Sequence, residues 1–152
     1  MFRGIHALVV DDKGRLAIPT KYREVLQREH GGQVVITIAI DNRCLWLYGL
    51  SQWETLEQQL LSLSSINQQV RRLQRLLIGH ASECQMDGQG RVLLIAPLRK
   101  YANLDKTVVL VGLGSKFEIW DAETWDIRRN VWVEETSMAD LQDSLDLSSL
   151  QI

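Results

Sequence analysis

One short pattern occurs twice. Asp11-Asp12-Lys13-Gly14-Arg15-Leu16 returns 76 residues later, without a gap, as Asp87-Gly88-Gln89-Gly90-Arg91-Val92. Asp, Gly and Arg keep their places, and an apolar residue follows each time. At the same shift Arg23 falls on Arg99. A second landmark agrees: Tyr48 and Trp53 are five apart, as are Trp120 and Trp125, at a shift of 72. Around them Leu45-Trp46-Leu47-Tyr48 aligns with Phe117-Glu118-Ile119-Trp120. Two landmarks in one order at similar shifts indicate two copies of one design. The copies are placed at 1–65 and 80–135, with a connecting helix at 66–79 and an acidic tail at 136–152.

Within the first copy, Ile5 to Val10 reads as a strand and Arg15 to Ile18 as its hairpin partner. Gly14 supplies the positive φ such a turn often demands. Pro19 ends the pairing because it has no N–H to donate. Thr20 is expected to cap a helix from Lys21 to His30, which Gly31-Gly32 stops. Val34–Ile40 and Cys44–Tyr48 read as strands around the turn Asp41-Asn42-Arg43. Ser51 and Glu54 stand at capping-box spacing for a helix with Leu56, Leu60, Leu61 and Leu63 on its apolar side. Val70, Leu73, Leu76 and Leu77 put a further helix at 67–78, with Arg71, Arg72, Gln74 and Arg75 on its other side. The second copy repeats the plan, with strands at 83–86, 91–95, 108–111 and 117–120. Helices follow at 98–104 and from Ala122, and the acidic end is at best weakly helical.

Charge is distributed unevenly. Residues 1–116 hold fifteen Lys/Arg against ten Asp/Glu, whereas 117–152 hold two against nine. The net charge of -2 therefore conceals a basic body and an acidic end. Hydrophobic residues make up 45% of the chain, enough to offset ordering entropy, so disorder is not expected as its main state. No stretch reaches the roughly 18 apolar residues that span a bilayer. Met1-Phe2-Arg3-Gly4 shows no apolar signal core, so secretion by that route is not expected. The two cysteines, Cys44 and Cys84, form neither a disulfide framework nor a zinc spacing, which fits a reducing cytosol.

Each copy presents an arginine just after its turn. Lys13 and Arg15 lie two apart, so on a strand they share a face. Arg3 stands upstream, and Lys21 and Arg23 follow at the start of the helix. A two-stranded ribbon can enter the major groove of DNA, where arginine pairs bidentately with guanine and lysines suit phosphates. A purely structural role competes: Asp11 can accept from turn N–H groups, and Arg15 can pair with that carboxylate. The duplication favours the functional reading, since folding needs a glycine at the turn but no arginine after it.

The residues Phe2-Arg3-Gly4, Asp11 to Pro19 and Tyr22-Arg23, then Arg75-Leu76-Leu77-Ile78-Gly79-His80-Ala81 and Asp87 to Arg91, resemble the MraZ family of bacterial transcriptional regulators over about residues 1–135. The resemblance implies two AbrB-like domains packed as a pseudo-dimer in an α+β, β-rich double-split β-barrel with flanking helices. It further implies ring-like homo-oligomers that bind double-stranded DNA at promoter repeats upstream of the division and cell-wall gene cluster, in the cytoplasm and at the nucleoid. By motif, Lys13 and Arg15 match the family's basic turn, and Arg91 matches the second copy; Arg3, Lys21 and Arg23 are assigned supporting roles. Gln89 replaces Lys13 in the second turn, Ile95 faces Pro19, and Pro97 is displaced by two. The first motif therefore carries more weight.

Other chemistries find little support. His6, His30 and His80 share no metal spacing. Gly112-Leu113-Gly114 leads into another strand and not into a helix, so it is no dinucleotide loop. No paired-carboxylate site stands out. The expectation is a non-enzymatic regulator with no cofactor, no metal, no membrane partner and no small-molecule substrate. The alternative is a protein-interaction module that uses the leucine-rich helices and the acidic C-terminal segment.

Overall fold

The large antiparallel sheet interleaves strands from both copies. The computed structural model describes all residues, Met1–Ile152. They form two compact units, Met1–Ala122 and Glu123–Ile152. The first unit begins with β1 (Phe2–Val9), β2 (Arg15–Ala17), α1 (Thr20–His30), β3 (Gln33–Ile38), β4 (Leu45–Gly49) and α2 (Leu50–Ser62). After α3 (Gln68–Leu77), the second copy follows with β5 (Ser82–Gln85), β6 (Arg91–Leu93), α4 (Ala96–Tyr101), β7 (Thr107–Gly114) and β8 (Lys116–Asp121). Two helices close the chain, α5 (Ala122–Glu135) and α6 (Met138–Asp143).

The six-stranded sheet has the order β1-β7-β8-β4-β3-β5, and β2 pairs with β6 in a separate ribbon. Exchanging the two copies leaves both orders unchanged, so the first unit has an internal two-fold. At the sheet centre β4 meets β8 with Trp46 opposite Glu118, flanked by Leu45 opposite Ile119 and Leu47 opposite Phe117. In the ribbon Leu16 faces Val92. The fold is mixed α+β and strand-rich. Its ladders run from β1 to β5, and no ladder joins those two edge strands.

The core explains this arrangement. Val34, Ile36, Leu45, Leu47, Val108, Leu110, Phe117 and Ile119 line one sheet face, and Leu16, Ile18, Leu26, Val92, Leu94 and Leu98 pack against them. Leu16, Ile18, Val92 and Leu94 are 0% exposed. Every residue of β4 is buried, so the strand reads as an unbroken apolar run, as expected when both faces are covered. On the other face Glu118 accepts from the indoles of Trp46 at 3.2 Å and Trp120 at 3.0 Å. Lys116 Nζ lies 3.7 Å from the Trp46 ring centre, a cation–π contact. Burial, together with the Glu118 carboxylate, pushes the Tyr48 hydroxyl up to about 12.

Three local expectations are corrected. The strand expected at 15–18 is not the hairpin partner of the strand before it. β1 is occupied along its length by β7, and only a Val10–Leu16 bridge joins it to β2. β2 instead finds its counterpart β6, a pairing that sends Leu16 and Val92 together into the core. Thr20 does not cap α1: Pro19 holds the cap position, and its carbonyl accepts from the Tyr22 and Arg23 amides. Ser51 and Glu54 form no capping box, because α2 starts one residue earlier with Gly49 at its cap. His30 Nδ1 takes the Ser51 amide instead, at 3.3 Å. For α3 the expectation holds. Asn67 caps it, accepting from the amides of Gln69 and Val70, and Leu77 is buried on its inner side.

The unit Glu123–Ile152 is helical in α5 and again in α6. Within it the Trp125 and Trp132 rings meet edge to face at 6.1 Å, and Arg128 lies over Trp132. Ser137 caps α6 by accepting from the Asp140 amide. Beyond Asn130 the charges are all acidic: Glu134, Glu135, Asp140, Asp143 and Asp146. No helix of the protein is long and apolar enough to cross a membrane.

Candidate nucleic-acid interface

The two turns are built from identical hydrogen bonds. In the first, the Asp11 amide donates to the Arg15 carbonyl and the Gly14 amide to the Asp11 carbonyl. Asp11 Oδ1 accepts from the amides of Lys13 and Arg15 at 2.9 and 2.8 Å. Asp11 Oδ2 takes Arg15 Nε at 2.8 Å. In the second, Asp87 does the same for Gln89, Arg91 and Gly90, with Arg91 Nε again at 2.8 Å. Gly14 and Gly90 sit at φ of +82° and +73°, where a side chain is strained. This accounts for the recurrence of Asp, Gly and Arg at this spacing. Aspartate satisfies the turn amides, glycine takes the left-handed conformation, and arginine closes the motif onto the carboxylate.

Those bonds also set the aspartate protonation. Asp11 and Asp87 are both held below the usual aspartate range, chiefly by the amides of Arg15 and Arg91. Partial desolvation opposes the shift. The guanidinium groups and the amides of Lys13 and Gln89 reinforce it.

The structural and functional roles of the arginines are compatible. Each guanidinium commits only its Nε to the carboxylate. The Arg15 and Arg91 side chains stay 30% and 28% exposed, and Nη1 and Nη2 have no protein partner. Antiparallel pairing sets Arg15 opposite Leu93 and Ala17 opposite Arg91. Strand alternation then puts Arg15, Ala17, Arg91 and Leu93 on the outer face of the ribbon, while Leu16 and Val92 face the core. Arg15 and Arg91 are diagonal neighbours, about 7–8 Å apart at the backbone. Ala17 is exposed and Leu93 is 43% exposed, so apolar side chains, one small and one large, flank the two cations on this face. Sequence reading missed Ala17 and Leu93, although the 76-residue shift that aligns the arginines aligns these two as well.

The other expected cations fall elsewhere. Lys13 is exposed but lies in the turn itself, so strand alternation does not determine its face. Arg3 stands at the opposite end of β1 from the turn. Its carbonyl accepts from the Tyr22 hydroxyl, and Lys21 Nζ lies 4.8 Å from the Tyr22 ring centre. Tyr22 thus meets the backbone of Arg3 and the ammonium of Lys21. Arg23 is half-buried, and its Nε donates to the Ile18 carbonyl at 2.5 Å.

Comparison with known proteins matches this duplicated architecture to one family model, described as "MraZ protein, putative antitoxin-like", twice in succession, over residues 1–76 and 77–146. This chain belongs to the MraZ family. Among its relatives is the transcriptional regulator MraZ of Methylococcus capsulatus, 54% identical over 143 residues, covering 94% of this chain and 93% of the relative. That of Tolumonas auensis is 58% identical over 125 residues, covering 82% of each chain. That of Yersinia pestis is 50% identical over 152 residues, covering 99% of this chain and 100% of the relative. The two MraZ matches meet at residues 76 and 77, at the end of α3, yet the strands on either side of that point are shared between the copies in both sheets.

Proposed function

We propose that this MraZ-family chain is a transcriptional regulator that reads double-stranded DNA through the β2–β6 ribbon. The carrying observation is the outer face of that ribbon, where two arginines with free Nη groups are held by aspartates in two-fold-related positions. Arg15 and Arg91 pair with guanine edges in the major groove, or anchor phosphates beside it, and Ala17 and Leu93 meet thymine methyl groups. Lys13 neutralises phosphate next to Arg15. Arg3 and Lys21 extend the contact along the backbone, and Arg23 serves it through the ribbon. The resemblance to MraZ regulators supports a target among promoter repeats upstream of the division and cell-wall gene cluster, a site of action at the nucleoid in the cytoplasm, and no catalytic activity.

The same reading makes the first unit a double-split barrel. The Val10–Leu16 bridge at one edge and the Asp87-to-Arg91 turn at the other carry the chain from the large sheet into the ribbon, which spans the gap between β1 and β5. Along the chain the same reading divides the protein into copies at 1–65 and 80–135, with 66–79 between them and 136–152 following in sequence. Ring-like homo-oligomers let several ribbons meet spaced repeats at high effective concentration, offsetting the few cations each subunit offers.

Gel-shift titration on DNA upstream of the protein's own gene, with sedimentation in parallel, tests the proposal. Arg15→Ala should weaken binding while assembly stays intact, and unchanged affinity would remove the ribbon from the interface. A second reading, a protein-interaction module, draws on Leu61, Leu63 and Leu76, all exposed, and on the acidic residues 134–146. Deleting 134–152 should abolish partner capture under that reading and leave DNA affinity unchanged under the first.

A further inference from the structure

Arg23 and Arg99 occupy equivalent positions in the two copies, and each reaches across to the other copy's turn. Arg99 Nε donates to the Leu94 carbonyl at 2.9 Å, and the Leu94 amide donates to the Gly14 carbonyl at 2.8 Å. A methyl group added at Gly14 would meet the Leu94 carbonyl oxygen at 3.0 Å and Arg99 Cζ at 3.1 Å. The same chain of contacts runs the other way. Arg23 Nε donates to the Ile18 carbonyl, the Ile18 amide donates to the Gly90 carbonyl at 2.9 Å, and a methyl at Gly90 would collide with Arg23 Nε and Cδ. Both glycines are buried, each beneath the guanidinium of the opposite copy. In both cases Nε is the bonded atom, so the flat guanidinium is fixed edge-on to a carbonyl, a geometry that lysine cannot reproduce.

We infer that Arg23 and Arg99 are positioning residues acting across the copies: Arg99 sets the conformation of the Lys13–Arg15 turn, and Arg23 sets that of the Gln89–Arg91 turn. The inference deepens the DNA-binding reading and rests on it for its functional consequence. The assignment runs against sequence proximity, since Arg23 follows the first turn by eight residues yet serves the second. It also ranks the pair. The first turn carries Lys13 where the second carries Gln89, so losing Arg99 harms DNA binding more than losing Arg23.

Double-mutant cycles on the full-length protein, read by DNA affinity, test the crossing. Arg99→Ala should weaken binding about tenfold alone, add little in an Arg15→Ala background, and add in full to Arg91→Ala. Arg23→Ala should couple to Arg91→Ala and add to Arg15→Ala. Arg99→Lys, the milder variant, should fail to restore affinity. Restoration by lysine with full additivity at both turns would mean a direct phosphate contact and overturn the inference. A lowered Tm with equal losses at both turns would mean general destabilisation and overturn it too. Amide spectra recorded without DNA separate this inference from the reading beneath it. Arg99→Ala should shift the Lys13 and Gly14 signals and spare Gly90, and Arg23→Ala the reverse. That crossed pattern with unaltered DNA affinity would keep the positioning and sink the DNA interface. Shifts at Gly90 on losing Arg99 would overturn the positioning whatever the DNA does.

Discussion

The first turn and the second share every hydrogen bond but differ at two charged positions. Asp11 and Asp87 bind the same three groups at distances that agree within 0.1 Å, yet Asp12 and Lys13 in one turn are Gly88 and Gln89 in the other. The shared residues are therefore those the backbone needs, and the two differing residues are free of that duty. Conformation and charge are separable at these loops. Arg15 and Arg91 lie on both sides of the division, because each spends Nε on the fold and keeps its Nη groups exposed.

The largest expected effect falls on what the turns have in common. Leu16 lies at the centre of the ribbon and is 0% exposed, so Leu16→Ala should cost about 2–5 kcal/mol of stability by chemical denaturation. Both turns should lose order together, and loss confined to the first would break the equivalence. Next, Glu118→Ala removes the carboxylate that accepts from the Trp46 and Trp120 indoles and should cost about 1–3 kcal/mol, with Glu118→Gln costing less. Arg15→Ala should lower affinity for promoter DNA by about 1–3 kcal/mol, the range of one bidentate base contact. Arg91→Ala would then show by fluorescence anisotropy whether the second turn contributes as much.

Charge exchange sharpens the comparison further. Lys13→Gln should reduce the slope of log affinity against log salt by about one, and Gln89→Lys should raise it by a similar amount. An unchanged slope in both variants would place these positions away from phosphate. The smallest effect concerns pH. Since the Asp11 and Asp87 carboxyls are depressed in the folded state, their stabilisation is present above the unfolded aspartate range and is lost as pH falls through the depressed folded values. Asp11→Asn and Asp87→Asn should each remove part of that acid-limb dependence, and carbon-detected titration of the two carboxyls should give matching curves.

Much of this was legible in the chain. The repeat, the Asp–Gly–Arg logic of the turns and most strand and helix positions follow from local chemistry that reaches only a few residues. Local signals misled in two ways: His30, 21 residues away, takes the Ser51 amide where a capping box was expected, and Pro19, the residue just before Thr20, holds the cap position in its place. Arg3 and Arg23 looked like neighbours of the basic turn because they are close along the chain. In space the Arg3 carbonyl and the Lys21 ammonium both meet Tyr22, and Arg23 lies over Gly90.

By itself the sequence determined that there are two copies, what each turn must contain, and which side chains have to leave water. Only the tertiary structure decided that the copies exchange strands, because local pattern specifies a strand's apolar face but not which edge it joins. A pairing of β2 with β6 buries Leu16 and Val92 together, and that gain exists only once both copies are present. The same exchange brings Arg15 and Arg91 onto one surface, although 76 residues of chain separate them.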